Sequence, residues 1–433
     1  MRKTKIDTWV IEPIGRFINN STTSGIVLFV SAVVALVLAN SPWAEEYHHI
    51  WEHKLSIGYD EYVISKTLHH WINDGLMAVF FFVIGLELKR EVLAGELSNP
   101  KDALLPLMAG VGGMVDPTLV YLAFNADSPA RDGWGIPMAT DIAFALGILY
   151  MLGDKVPKSL KIFLTALAIA DDLGAVLVIA LFYTSDVSML SLGVGAGFMA
   201  LLIGANVLGV RSPVFYGIVG IAGLWLAFLM SGIHATVAGV LAALTIPADV
   251  KVQDRLFVQE IRRLTREFEE AKPNNVSLVT KEQLHILDEI RFFSKAALTP
   301  LQRLEHGMHP LVAFVVMPIF ALANAGVTFS GNVADNVGSY VTLGIICGLV
   351  IGKFVGIAGL TKIVVGLKLA KLPEGVTWRH IYGAALLAAV GFTMSLFITE
   401  LAFKDPEIIL QAKFGILIAS LIGGTAGFLL LRK

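Results

Sequence analysis

Long apolar stretches alternate with short polar ones along almost the whole chain. A helix needs about 20 mostly apolar residues to cross the hydrocarbon core of a bilayer. Twelve stretches approach that pattern, beginning near residues 24, 74, 103, 136, 160, 188, 213, 232, 310, 338, 380 and 408. The runs near 74 and 136 are less clean than the others. Those around 212–247 are separated only by Ser231-Gly232-Ile233-His234, which predicts a tight turn. The pattern predicts an all-α polytopic membrane protein, a single domain over residues 1–433 with about twelve transmembrane helices.

Two connections carry patterns of their own. Between 249 and 303, apolar residues recur at helical spacing: Phe257, Ile261, Leu264 and Phe268, then Leu284, Leu287, Ile290 and Phe293. Lys272-Pro273-Asn274-Asn275 interrupts them, so this insertion is predicted to be a cytoplasmic helical hairpin. In the first outer loop, about residues 53–66, β-branched and aromatic residues in "HKLSIGYDEYVIS" flank a Gly-Tyr-Asp turn signal and predict a β-hairpin. An isolated hairpin is marginal in water, so it wants a partner, such as another protomer.

Composition agrees with the membrane reading. Apolar residues make up 55% and charged residues only 16%, against roughly 25% charged in soluble domains. A net charge of -2 leaves no footprint for nucleic acid. The single cysteine, Cys347, excludes a disulfide framework and a cysteine-based metal site. The first twenty residues lack the apolar core of a signal peptide and are expected to be retained. Lys and Arg set orientation: with both termini in the cytoplasm, 27 of the 33 fall on that side and five outside. Setting aside the long insertion, the ratio is still 17 to 5.

A short internal echo links "ATDIAFALGIL" from Ala139 to "FTMSLFITEL" from Phe392. Thr140 stands 32 residues before Asp172, and Thr393 stands 32 before Thr425. Three helices per repeat would set helices 3–5 against helices 10–12.

The ionisable residues singled out inside spans are Asp141 in "GWGIPMATDIAFALG", Asp171 and Asp172 in "TALAIADDLGAVLVIAL", and Lys353 in "GLVIGKFVGIAG". Each charge at mid-bilayer costs ~2.5–3.5 kcal/mol on insertion scales, so four left unpaired would cost about 10–14 kcal/mol. That is comparable to the stability of a whole domain. They must face inward, pair, or meet water. Three carboxylates against one lysine leave a formal -2, which a dry site relieves by taking up protons or a cation. Oxygen ligands suit hard cations. Neighbours on a helix point ~100° apart, so Asp171 and Asp172 do not easily share one target: one can face Lys353 and the other an ion near Asp141, the alternative being that Lys353 and one Asp form a purely structural bridge.

Gly133, Gly135 and Pro137 precede Asp141, and Gly391 precedes Thr393. At membrane depth these residues predict either interrupted helices that line a cavity or a simple packing kink. Asp141 and Lys353 are suitable compensators for the exposed half-helix ends. His306 and His309, three apart beside Glu305, share one face if helical. Histidine titrates near pH 6.5, so they are either pH-responsive groups or ordinary surface histidines.

The motifs "NDGLMAVFFFVIGLELKRE" (73–91), "ATDIAFALG" (139–147), "ALAIADDLGAV" (166–176), "SGIHATVAG" (231–239), "RLEHGMHP" (303–310) and "FALANAG" (320–326) resemble those of the NhaA-type sodium/proton antiporters. The resemblance covers nearly the whole chain. It implies inverted-topology repeats (helices 3–5 and 10–12) with discontinuous helices 4 and 11 crossing near the midplane. It implies that Asp171 and Asp172 bind sodium and protons, with Asp172 the more direct sodium ligand, and that Asp171 bridges to Lys353. Thr140 and Asp141 would lie at the crossing, with Asp141 compensating the positive half-helix ends. Glu87, Arg90, Glu91, Glu305, His306 and His309 would carry a pH response from a cytoplasmic funnel, with His234 contributing from elsewhere. The first-loop hairpin would be a homodimer contact. The expected protein is an inner-membrane secondary transporter surrounded by lipid, not an enzyme, with no cofactor. It would export Na+, and Li+ as well, for H+ in an electrogenic, pH-regulated cycle. The 249–303 insertion is longer than the family's usual loop.

Two other classes compete. An intramembrane aspartyl protease also needs two membrane Asp residues, but the chain has no Gly-x-Gly-Asp motif, and Lys353 would hold one carboxylate ionised. A cation-coupled symporter for an organic solute would need polar solute-binding groups, and the spans contain few.

Overall fold

The computed structural model describes residues 21–59, 62–184, 188–271, 278–329 and 333–432. The polar N-terminal twenty residues, the tip of the Gly-Tyr-Asp turn and the Lys272-Pro273-Asn274-Asn275 interruption lie outside the described residues.

The apolar runs fold as helices. Helix α1 (Ser21–Ala39) is followed by α2 (Ala44–Glu52), which turns away at 113°. Strands β1 (Lys54–Tyr59) and β2 (Tyr62–Thr67) then form an antiparallel ribbon, with Lys54 opposite Thr67 and Ile57 opposite Ile64. Next come α3 (Leu68–Ala94) and α4 (Pro100–Asn125). Asn99 starts α4 by accepting from the Lys101 N–H, and Pro100 occupies its first turn. A tight helix over Arg131–Met138 and then α5 (Ile142–Met151) make up the fourth span. They are followed by α6 (Lys158–Phe182), α7 (Met189–Val207), α8 (Pro213–Leu229) and α9 (Ala235–Thr245).

Among the described residues, eight helices are long and apolar enough to span a membrane unaided, and ten segments qualify if each bent pair counts as one. The expected count of twelve is therefore not met by length and apolarity alone. The shortfall is physical at α9. Its 11 residues rise only about 16 Å, because Ile246 precedes Pro247 and leaves the helical region. The Lys89 ammonium donates to the Leu244 and Ile246 carbonyls at 2.7 and 2.6 Å and satisfies that end.

In the insertion, α10 (Asp254–Glu270) and α11 (Lys281–Ala296) pack on each other. Leu264, Ala271 and Ile286 form their small core, with Phe268, Ile290 and Phe293 against it. Leu284 and Leu287, expected on the inward face, are exposed, and Ile286 takes their place. Ile290 and Phe293 face inward as expected, and only the N-terminal half of the α11 stripe differs. Helix α12 (Pro300–Asn324) follows, opened by a Thr299–Gln302 capping box.

The last third contains α13 (Tyr340–Gly366), α14 (Trp378–Ala388), α15 (Phe392–Ala402) and α16 (Pro406–Arg432). Helices α4 and α13 run antiparallel. Gly112 meets Gly356, Gly352 meets Pro117, and Gly344 meets Asn125. At Gly112 and Gly356 each backbone sits where the other's Cβ would be, so only glycine permits the approach. The 42° break between α14 and α15 parallels the one before α5. Each end of the chain thus supplies a long helix, an interrupted one and another long one.

Candidate ion-binding site

The two interruptions meet. Ala139, Thr140 and Asp141 leave the helical conformation, the other helix is broken over residues 389–391, and the Asp141 N–H donates to the Val390 carbonyl at 2.7 Å. Helices α5 and α15 both begin here, so two sets of unsatisfied N–H groups and two positive dipole ends converge. Asp141 answers both. One carboxylate oxygen accepts from the Phe144 N–H of α5 at 2.9 Å, and the other from the Thr393 N–H of α15 at 3.1 Å and from the Thr393 hydroxyl. Asp141 is fully buried.

Thr140 faces the opposite pole. Its hydroxyl lies 2.8 Å from Asp171 Oδ2 and 3.0 Å from the Ala388 carbonyl, at the negative end of α14. It can donate to only one of them, and it accepts from Lys353 Nζ. Lys353 also lies 2.8 Å from Asp171 Oδ2, a pair with no exposed side-chain surface. A widened helical turn over Gly348–Gly352 immediately precedes Lys353 on α13.

Asp172 differs from its neighbour. Both of its carboxylate oxygens are buried without a hydrogen-bond partner, as is Asp171 Oδ1. Gly110 and Gly113 of α4 leave room beside that Asp171 oxygen. Asp171, Asp141, Lys353 and Glu87 all lie within electrostatic reach of Asp172. Buried polar atoms are normally satisfied. Three unpartnered carboxylate oxygens together therefore point to a species they bind in turn. Among the described residues, no three His, Cys, Asp or Glu side chains converge as a metal cage. Asp141 takes its donors from α5 and α15, and Asp171 takes its donors from Lys353 and Thr140, so these two acids are engaged apart rather than with each other as in a protease dyad.

The predicted pH-responsive residues fall in two places. At the end of α3, Arg90 Nη2 lies 2.9 Å from Glu91, and Arg90 Nε lies 3.1 Å from Glu305 of α12. Glu87 lies within electrostatic reach of Glu305, Arg90 and Glu91. His306 and His309 sit exposed on the same end of α12. His234 is apart from all of them, at the start of α9, with Nε2 2.6 Å from the Tyr183 carbonyl. Burial pushes the Tyr183 phenol above its usual range. It stays a neutral donor to the Asp132 carbonyl, at 2.6 Å.

The pattern of charges did not reveal everything. Thr393 registered only as half of the internal echo, because a threonine in a membrane helix is unremarkable by type. Asp116, within α4 beside the Gly352–Gly356 crossing, is a further in-span carboxylate. The rule that singled out Asp141 applied to it equally.

Crossed, interrupted helices around buried carboxylates define a secondary transporter for a small cation rather than an enzyme. The family model described as Na+/H+ antiporter 1 matches residues 15–431. The chain is 48% identical over 427 residues to a protein of Saccharophagus degradans named Na(+)/H(+) antiporter NhaA 1, covering 98% of this chain and 92% of that one. It is 50% identical over 427 residues to the Na(+)/H(+) antiporter NhaA of Acidithiobacillus ferrooxidans, covering 97% of each. A third relative, from Oleidesulfovibrio alaskensis and with the same name, is 48% identical over 424 residues and 98% of this chain. The chain belongs to the NhaA family of sodium/proton antiporters and is a multi-pass membrane protein.

Proposed function

We propose that sodium and protons compete for Asp172 and Asp171, and that this competition is the exchange mechanism. The observation that carries the reading is the pair of partnerless Asp172 oxygens beside an Asp171 already tied to Lys353 and Thr140. Sodium is a hard cation and suits carboxylate oxygen. Facing the cytoplasm, the deprotonated pair takes sodium. Facing outward, it releases sodium and takes protons. A site that cannot hold both couples the two fluxes. Lithium has the same chemistry and is carried by the same oxygens.

Return of more than one proton per sodium makes the cycle electrogenic, and the membrane potential then contributes ~2.3 kcal/mol per charge per 100 mV. The Arg90–Glu91–Glu305 cluster at the cytoplasmic end, with Glu87 between it and Asp172, regulates the cycle by pH. Both termini lie in the cytoplasm of a bacterial inner membrane.

The test is sodium-driven proton flux in vesicles with an imposed pH gradient. Asp172→Asn abolishes exchange while the protein still inserts. Intact exchange in that variant sinks the carboxylate mechanism.

A further inference from the structure

Helices α3 and α12 are joined by polar groups at both ends. Arg90 and Glu305 pair at one end, and a second cluster, which the exchange mechanism does not use, sits at the other. His69 Nε2 lies 3.0 Å from Asn324 Oδ1. Asn324 Nδ2 donates to the Phe320 carbonyl and to Asn73 Oδ1, both at 3.0 Å. A carbonyl only accepts, so the Asn324 amide is oriented and its oxygen faces His69. Nε2 therefore carries the proton. Asn73 in turn presents its NH2 to His69 Nδ1 at 3.4 Å. The two asparagines, both buried, thus select the neutral ring.

A carboxylate waits across the gap. Glu400, near the end of α15, lies 4.0 Å from His69 Nε2 and 2.8 Å from Lys413 of α16. Its side chain is only 14% exposed. Helix α15 is the one whose first turn holds Asp141, seven residues before Glu400. The contact thus joins the α3–α12 pair to the interrupted helix at the site. In repeat-built transporters, alternating access is largely the movement of one such body against the other.

We propose that His69 is a proton-responsive latch between these two bodies at the end of the molecule that the charge distribution assigns to the outside. Protonation puts a hydrogen on Nδ1, which then faces the Asn73 amide donor and breaks that bond. It also turns the Glu400 contact into an ion pair. The latch tightens as external pH falls and loosens as it rises. Other charges bear on it: Lys413 and His70 oppose the imidazolium, and Asp74 favours it. His48 of α2 reaches Lys413 and Glu52 rather than His69 itself.

The test is sodium efflux from right-side-out membrane vesicles, with internal pH clamped and external pH varied. Wild-type efflux falls at acidic external pH. His69→Gln and Glu400→Gln each remove that fall, and the double variant matches either single one. All variants keep wild-type exchange at alkaline external pH, which separates the latch from the roles of Asp171 and Asp172. Persistence of the acid-side fall in His69→Gln, or additive effects in the double variant, overturns the proposal. Should His69→Gln fail to insert, Glu400→Gln decides alone, and an unchanged acid limb there is equally fatal.

Discussion

The asymmetry between Asp171 and Asp172 decides what each can do. Asp171 shares one oxygen with Lys353 and Thr140, and Asp172 shares none. A buried ion pair is costly to form, but removing one partner is costlier, because the other charge is stranded. Lys353→Ala is therefore predicted to destabilise the protein by ~3–5 kcal/mol. The measurement is thermal unfolding in detergent, and an unchanged midpoint refutes the structural weight given to the bridge. That a shared buried site exists was legible in the sequence, since carboxylates and a lysine in apolar runs have few reasons to be there. Which acid Lys353 takes came from the family resemblance alone, which named Asp171: a 100° offset says the two point apart, not which one meets the lysine. Thr393 was harder still, because its hydroxyl carries no charge to draw attention.

At the scale of elements, the crossing depends on what is absent. Helices α4 and α13 approach so closely that a side chain at Gly112 or Gly356 would overlap the opposing backbone. Overpacking a core typically costs 1–3 kcal/mol even when side chains can yield. Here backbone would have to move, and it carries Lys353 with it. Gly356→Leu is predicted to lower the unfolding midpoint and to depress exchange even though no ion-binding group is altered. A variant with full exchange and unchanged melting would show that the close contact is dispensable. Long spans were legible because twenty apolar residues have little alternative to a helix. The interruptions were legible from glycine and proline at depth. The short α9 was not, because its apolar run continues past the helix end that Pro247 imposes and Lys89 satisfies. On α11 Ile290 and Phe293 were legible, but the inward residue of the preceding turn was not, because Leu284, Ile286 and Leu287 are all apolar and only packing chooses among them.

At the scale of the molecule, the groups within electrostatic reach of Asp172 lie on the membrane spans of this chain. The β1–β2 ribbon is the opposite case. Leu55, Ile57 and Val63 are exposed on it, and Trp71 anchors it through a 3.0 Å bond to the Leu55 carbonyl. A two-stranded ribbon is marginal in water by itself, and a second copy would cover its exposed Leu55, Ile57 and Val63. These two facts separate assembly from transport. We propose that the ribbon pairs two copies of the chain, so replacing residues 54–67 with a short Gly-Ser linker is predicted to halve the mass read in detergent. Sodium-driven proton flux per chain is predicted to survive, because no residue of the Asp141–Asp171–Asp172–Lys353 site is touched. A dimer that persists without the ribbon refutes its role in assembly. Flux lost on its removal would mean that the second copy holds the moving helices in place, making the dimer part of the transport cycle rather than its setting.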